Sequence, residues 1–302
     1  MTIFCYNIYT KVAFCSEKTE LRRKILTYLD ICNRLKAAGI EEYRREAGLL
    51  ISHFCGVARE LLPFCRDRDF NETGLIAAVK CRERRYPLQY IFGEWQFCTE
   101  TYFVGPGCLI PRPETEQMVL DAVEKLPTGA TFLDLCTGSG CITVSILVRR
   151  PDLSAVAVDV SPEALRYAVK NAERYGVTDR VEFVTADILE DGAAEKICGE
   201  RKFDAILSNP PYIPKKEISA LAPELSFEPD IALDGGEDGL VFYRTVTEKF
   251  GDKLKDGGFI LYEAGSGQSG DIVGIAEKNG FDSKVGFDLA GHDRNITLTK
   301  RK

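Results

Sequence analysis

Long apolar runs are missing from this chain of 302 residues. Nowhere does it hold the roughly 18 to 20 consecutive apolar residues needed to cross a bilayer, so no membrane span is expected. The opening residues, Met1-Thr2-Ile3-Phe4-Cys5-Tyr6, lack the basic stretch, apolar stretch and small-residue cleavage site of a secretion signal. Histidine is scarce, with His53 and His292 alone, and the eleven cysteines scattered from Cys5 to Cys198 include no C-x-x-C pair. Clustered Cys and His are what zinc sites draw on, so no metal site is expected. An odd number of cysteines in a chain long enough to build its own core argues for reduced, mostly buried thiols in a cytoplasmic protein rather than a disulfide framework.

Positive charge is also in short supply. The net charge of −7 disfavours nonspecific nucleic-acid binding, which depends on Lys and Arg neutralising phosphates. The deficit is uneven: residues 1–110 carry 16 Lys+Arg against 13 Asp+Glu, and residues 111–302 carry 23 against 33. A docking surface for an acidic partner therefore belongs in the first third, although runs such as Arg82-Glu83-Arg84-Arg85 read as solvated helix faces. Internal repeats and low-complexity segments are absent.

What is present fits a globular protein of two parts, a large α/β domain and a smaller one. From about Glu20 to Arg85 the pattern is helical, with Ala47, Leu50, Ile51 and Phe54 spaced as one apolar face; the first roughly 18 residues have no clear period. Residues 1–86 are expected to form a helical N-terminal domain and residues 87–113, aromatic and β-branched and broken by Gly93, Gly105 and Gly107, a hairpin and linker. From residue 114 to 302 short apolar runs alternate with helical patterns, the mark of a doubly wound parallel sheet. Strands are expected at 131–135, 154–159, 181–184, 203–208 and 259–264. Ser161 and Pro162 suit the N-cap and first position of the helix after the second strand.

The residues with chemical character sit where these strands end. The first strand leads into Cys136-Thr137-Gly138-Ser139-Gly140, whose glycines permit a tight turn and close approach to a ligand at the carboxyl end of a strand. Thr143 stands where a dinucleotide fingerprint has its third glycine. Asp159, at the end of the second strand, is placed to accept ribose hydroxyls, and Asp187-Ile188, after the third, offer an acceptor and an apolar surface for an adenine ring. After the fourth strand comes Ser208-Asn209-Pro210-Pro211-Tyr212. Two prolines remove two donors and stiffen the turn, which leaves carbonyl oxygens to accept hydrogen bonds. The Asn209 side chain adds an acceptor and Tyr212 a flat face, so a planar NH2 group fits between them. A delocalised nitrogen is a poor nucleophile even toward a methylsulfonium, and fixing both N–H groups would orient its lone pair for in-line methyl transfer. The glycine loop and Asp159 alone would equally serve a nicotinamide-dependent dehydrogenase or an inert nucleotide-binding module.

Beyond these residues the chain resembles the release factor glutamine methyltransferases over roughly residues 30–300. The resemblance rests on Gln89-Tyr90-Ile91-Phe92-Gly93, Leu109-Ile110-Pro111-Arg112-Pro113-Glu114-Thr115-Glu116, Phe227-Glu228-Pro229, Leu233-Asp234-Gly235-Gly236-Glu237-Asp238-Gly239-Leu240 and Asp288-Leu289-Ala290-Gly291. It implies a Rossmann-like class I methyltransferase sheet, S-adenosylmethionine as cofactor, and the glutamine of a release factor's Gly-Gly-Gln motif as acceptor, with the helical domain engaging that partner. Carried over by position, Cys136, Thr137, Gly138, Ser139 and Gly140 form the cofactor loop, Asp159 holds the ribose, Asp187 and Ile188 flank the adenine, and Asn209, Pro210, Pro211 and Tyr212 hold the glutamine. Cys136 stands where the family has glycine, so either the loop tolerates a side chain in its first turn or this residue keeps a negative φ. The alternative substrate is the exocyclic amine of a flipped DNA or RNA base, which the same clamp would accept; the acidic catalytic domain and the lack of a basic target-reading domain disfavour it.

Overall fold

The computed structural model describes residues 25–65, 67–287 and 291–301; the expectations about the first 18 residues and about Asp288-Leu289-Ala290 lie outside them. The chain forms two compact units. One runs up to Gly93 and includes Pro223–Phe227; the other comprises Glu94–Ala222 and Glu228–Lys302.

The first unit is helical: α1 (Tyr28–Ala37), α2 (Tyr43–Cys55), a 3-10 turn (Arg59–Phe64), α3 (Thr73–Glu83) and the short α4 (Leu88–Phe92). α1 starts on a capping box, in which the Thr27 hydroxyl accepts from the Asp30 N–H and the Asp30 carboxylate accepts from the Thr27 N–H at 2.9 Å, so two orphan donors are satisfied at once. Ile31, Leu35, Leu50, Ile51, Leu75 and Val79 close the core with no measurable exposure. Residues 82–85 are not uniformly a solvated face. Arg82 is buried and donates to Glu46 at 2.5 Å and to Glu224 at 2.9 Å, and Glu224 also pairs with Arg85. Glu224 arrives from the Pro223–Phe227 segment, more than a hundred residues away in sequence, so the pairing that makes burial of a guanidinium tolerable has no local signal.

The second unit opens with an antiparallel hairpin, β1 (Glu94–Phe97) and β2 (Glu100–Phe103), followed by α5 (Glu116–Lys125). Its main sheet holds β3 (Thr131–Leu135), β4 (Ser154–Asp159), β5 (Val181–Thr185), β6 (Phe203–Ser208), β7 (Leu254–Glu263), β8 (Phe281–Phe287) and β9 (Asp293–Lys300) in the order β5-β4-β3-β6-β7-β9-β8. The crossovers α6 (Cys141–Arg149), α7 (Pro162–Arg174) and α8 (Ala193–Cys198) return the chain to parallel register from β3 through β6. α9 (Val241–Thr245) leads into β7, and α10 (Ser269–Lys278) connects β7 to β8. β3, β4 and β6 are buried along nearly their whole length, which is why they read as continuous apolar runs.

The doubly wound Rossmann-like sheet is thus as the sequence indicates, with one correction: β9 pairs antiparallel with both β7 and β8, so the sheet is mixed. In Asp293–Lys300 only Asn295, Ile296 and Leu298 are buried, and such half-buried strands alternate weakly. The feature that matters for function is the reversal of strand order. From β3 the chain winds outward to β5, then returns to place β6 on the other side of β3. A crevice opens at the carboxyl ends of β3 and β6, where open α/β sheets take ligands.

Candidate active site

The loop after β3 is held from below. Asp134 is fully buried and accepts the hydroxyls of Thr137 and Thr143, both at 2.6 Å. Burial pushes its carboxyl up to about 6, against the pull of those two hydroxyls. Thr143, where a dinucleotide fingerprint has glycine, therefore has a structural use of its own. Cys136 adopts φ +63°, so of the two alternatives the loop tolerates a side chain at positive φ, at a cost of about 1 to 2 kcal/mol. Burial pushes its thiol well above the ordinary range, which keeps it protonated and unsuited to nucleophilic attack. Gly140 is the N-cap of α6; a Cβ there would lie 3.0 Å from the Ala168 side chain and 3.1 Å from its backbone, so its absence lets α6 and α7 approach. From α7, buried Asn171 donates to the Ser139 carbonyl at 2.9 Å and exchanges bonds with the backbone of Phe103.

Asp159 closes the neighbouring wall. One carboxylate oxygen accepts the Gly138 N–H at 2.8 Å, and the other accepts the Ser161 N–H at 2.9 Å, while the Ser161 hydroxyl caps α7 through Ala164. Desolvation raises its pKa and these backbone donors oppose the rise. Each oxygen keeps a further lone pair for a hydroxyl donor. Asp187 caps its own turn by accepting from the Leu189 N–H at 2.8 Å, and Ile188 beside it is buried.

The loop after β6 is braced from three sides. Ser208 donates to the Leu135 carbonyl at 2.7 Å and so ties the two strand ends together. Ile213 pairs with the glycine-rich loop: its N–H reaches the Leu233 carbonyl at 3.0 Å, and its carbonyl accepts from Gly235 at 2.9 Å. A Cβ on Gly235 would lie 2.7 Å from the Tyr212 Cα, and one on Gly239 would lie 2.4 Å from the Tyr212 carbonyl oxygen. The Asp-Gly-Gly-Glu-Asp-Gly segment is glycine-rich because it lies flat against the backbone of Tyr212. Gln268 completes the brace by donating to the Tyr212 carbonyl at 2.9 Å. The Asn209 Nδ2 donates to the Thr115 hydroxyl at 3.1 Å; its Oδ1 and the Pro210 carbonyl meet no protein donor among the described residues. Burial raises the Tyr212 hydroxyl pKa, so it stays neutral.

A cleft open to solvent joins the two loops. Of the residues singled out from the sequence, Cys136, Thr137, Gly138, Ser139, Asp159, Asp187, Ile188, Asn209 and Pro211 line it; Gly140, Pro210 and Tyr212 do not. Tyr212 instead packs against the core under the loop. Arg112 and Pro111 edge the cleft, held by buried Glu228, which accepts from Arg112 at 2.5 Å and from the Ile110 N–H at 2.9 Å. Sequence reasoning assigned no role to Thr115, Gln268 or Glu263. Glu263 carried a signal, a single carboxylate ending an apolar strand; Gln268 carried none. Among the described residues no group of His, Cys, Asp and Glu is arranged to hold a metal ion, and no helix is long and apolar enough to cross a membrane.

The chain is similar to known proteins. The Methyltransferase small domain family matches residues 115–236, and the PrmC N-terminal domain family matches residues 29–93. The chain is 38% identical to the release factor glutamine methyltransferase of Geobacter sulfurreducens, over 93% of this chain and 98% of that one. It is 36% identical to the protein of the same name from Clostridium acetobutylicum, over 88% and 94% of the two chains. Among solved structures, a methyltransferase from Pyrococcus furiosus has the same fold, with a TM-score of 0.51 at 21% identity over 67% of this chain and 89% of that one.

Proposed function

Because this chain belongs to the release factor glutamine methyltransferase family, we propose that it transfers the methyl group of S-adenosylmethionine to the side-chain amide nitrogen of the glutamine in a release factor's Gly-Gly-Gln motif. The observation that carries the reading is the Asn209 carboxamide, which lines the cleft with its NH2 tied back to Thr115 and its oxygen without a protein donor among the described residues. The cofactor would supply an electrophilic methyl carried on a sulfonium. The residues fit such a group: a Cβ added to Gly138 would meet nothing within 4 Å, Asp159 keeps lone pairs for ribose hydroxyls, and Ile188 gives an apolar surface for an adenine face.

The remaining work falls to the chain. Asn209 Oδ1 and the Pro210 carbonyl accept the two N–H groups of the glutamine amide, turning the nitrogen lone pair toward the methyl and favouring a pyramidal nitrogen in the transition state. The half-buried Tyr212, packed on the core outside the lining of the cleft, backs this turn. Pro211 stiffens the turn so that these acceptors need no reorganisation. Thr137 and Ser139 shape the cofactor loop, and Gly140 starts the helix behind it. The helical unit contributes remote contacts with the release factor, so a folded factor is a better acceptor than a short Gly-Gly-Gln peptide. We place the enzyme in the cytoplasm with its substrate, in keeping with the free thiols of the nine described cysteines.

The test is incubation with methyl-labelled cofactor and, in parallel, release factor, its Gln→Glu variant, duplex DNA and ribosomal RNA at near-physiological salt, followed by mass mapping. Label on the single glutamine is expected. None is expected on the Glu variant, whose carboxylate supplies no N–H donors and repels the acceptor oxygens. Label in nucleic acid with the release factor unmodified would replace the glutamine by a base amine as substrate.

A further inference from the structure

The Asn209 carboxamide serves as an acceptor only if its oxygen, and not its NH2, faces the substrate. The two ends of an amide have nearly the same shape, so packing alone discriminates poorly between them. Behind Asn209 lies a chain of directed hydrogen bonds: Asn209 Nδ2 donates to Thr115 Oγ1 at 3.1 Å, and Thr115 Oγ1 donates to Glu263 Oε2 at 2.5 Å. Thr115 and Glu263 are 2% and 1% exposed, so water does not compete for the bond between them. They come from the start of α5 and the end of β7, brought beside β6 by the sheet order.

We propose that Thr115 and Glu263 are positioning residues which fix the Asn209 carboxamide with its oxygen toward the acceptor nitrogen. A hydroxyl has one proton. Committed to an ionised Glu263, it leaves Thr115 with lone pairs alone on the side of Asn209, so a flipped carboxamide would set oxygen against oxygen. The device rests on the glutamine-methylation reading and specifies how its clamp is set.

The relay is directed only while Glu263 is charged. Burial pushes its carboxyl up to about 7, ahead of the lowering effects of Thr115, Arg294 and Arg112 and with a raising effect from Glu114; Tyr212 and Tyr243 also face it. Below that pH the protonated carboxyl donates to Thr115, whose own proton is released to point at Asn209, and the carboxamide can turn its NH2 to the substrate. Because the pKa is raised, the ordered state is present above about pH 7 and lost as pH falls.

The experiment measures turnover on the release factor from pH 5.5 to 8.5 for wild type, Thr115→Val, Thr115→Ser and Glu263→Gln, with calorimetric cofactor affinity for each. Thr115→Val is expected to lower kcat about 10- to 100-fold while cofactor affinity stays within about two-fold, and Thr115→Ser to recover most of the loss. Wild type should show an acid limb near pH 7. Glu263→Gln, which does not titrate, should lack it. Wild-type kcat in Thr115→Val, or an acid limb that persists in Glu263→Gln, overturns the relay; if Thr115→Val does not fold, the profile of Glu263→Gln decides. A wild-type enzyme that leaves the release factor unlabelled overturns the substrate reading itself, whereas labelling by wild type with an inert relay overturns the relay alone.

Discussion

The loops after β3 and β6 sit side by side at the same end of one sheet, yet they are built on opposite plans. The loop at Cys136–Gly140 is held largely through its own backbone: Thr137 N–H reaches Val158, Gly138 N–H reaches Asp159, and the Ser139 carbonyl is held by Asn171. It tolerates a residue at φ +63°. The loop at Asn209–Tyr212 is instead clasped from outside, by glycines that allow backbone to lie on backbone, by Gln268 and by the Thr115–Glu263 pair. A binding loop needs complementary shape spread over many atoms, and small displacements are absorbed. In the proposed reaction the second loop must place two acceptor oxygens where a bond is being made, and an error on the order of 1 Å there lowers the rate about 100-fold.

This contrast predicts that damage to one loop appears in affinity and damage to the other in turnover. The largest effect is expected for Asn209→Ala, which should lower turnover about 100-fold or more while cofactor affinity changes only a few-fold. Steady-state kinetics beside calorimetry measures both, and near-normal turnover would remove Asn209 from the clamp. Asp159→Ala should fail in the other direction, weakening S-adenosylmethionine binding by about 1.5 to 3 kcal/mol, since a hydrogen bond to a charged group is lost. Unchanged affinity in that variant would break the comparison at its binding end.

Smaller changes sharpen it. Gly239→Ala drives a methyl group to 2.4 Å from the Tyr212 carbonyl; the resulting shift should destabilise the fold by about 1 to 3 kcal/mol in denaturant titration and reduce turnover more than cofactor affinity. A loss confined to affinity would mean that the glycine segment does not brace the clamp. The least effect is expected for Cys136→Gly, which relieves a left-handed conformation and gives up a small side chain. A gain of about 0.5 to 1 kcal/mol in unfolding free energy is expected, with turnover unchanged. A net destabilisation would show that thiol packing outweighs backbone strain.

Much of this was legible in the chain because the signals were local. Runs buried on both faces announced β3, β4 and β6; Ser161 and Pro162 announced α7; two adjacent prolines after a strand announced a rigid acceptor turn. The strands β8 and β9 went unread because an edge hairpin exposes one face and half its residues are polar. Residues 87–113 show a similar limit: aromatic and β-branched composition suggested strand, but Leu88–Phe92 forms a helical turn that ends at Gly93 with φ +75°.

By itself, then, the sequence determined the order of elements, the glycine loop, the acid at the end of β4 and the proline turn after β6, since each depends on neighbours within a few residues. Tertiary structure decided which of those groups meet and which way they face. Glu228 reaches Ile110 and Arg112, Gln268 reaches Tyr212, and Glu263 reaches Thr115 and through it Asn209. The partners lie between 56 and 148 residues apart. The direction of a hydrogen bond between them is a property of the folded packing, and no periodicity or propensity encodes it.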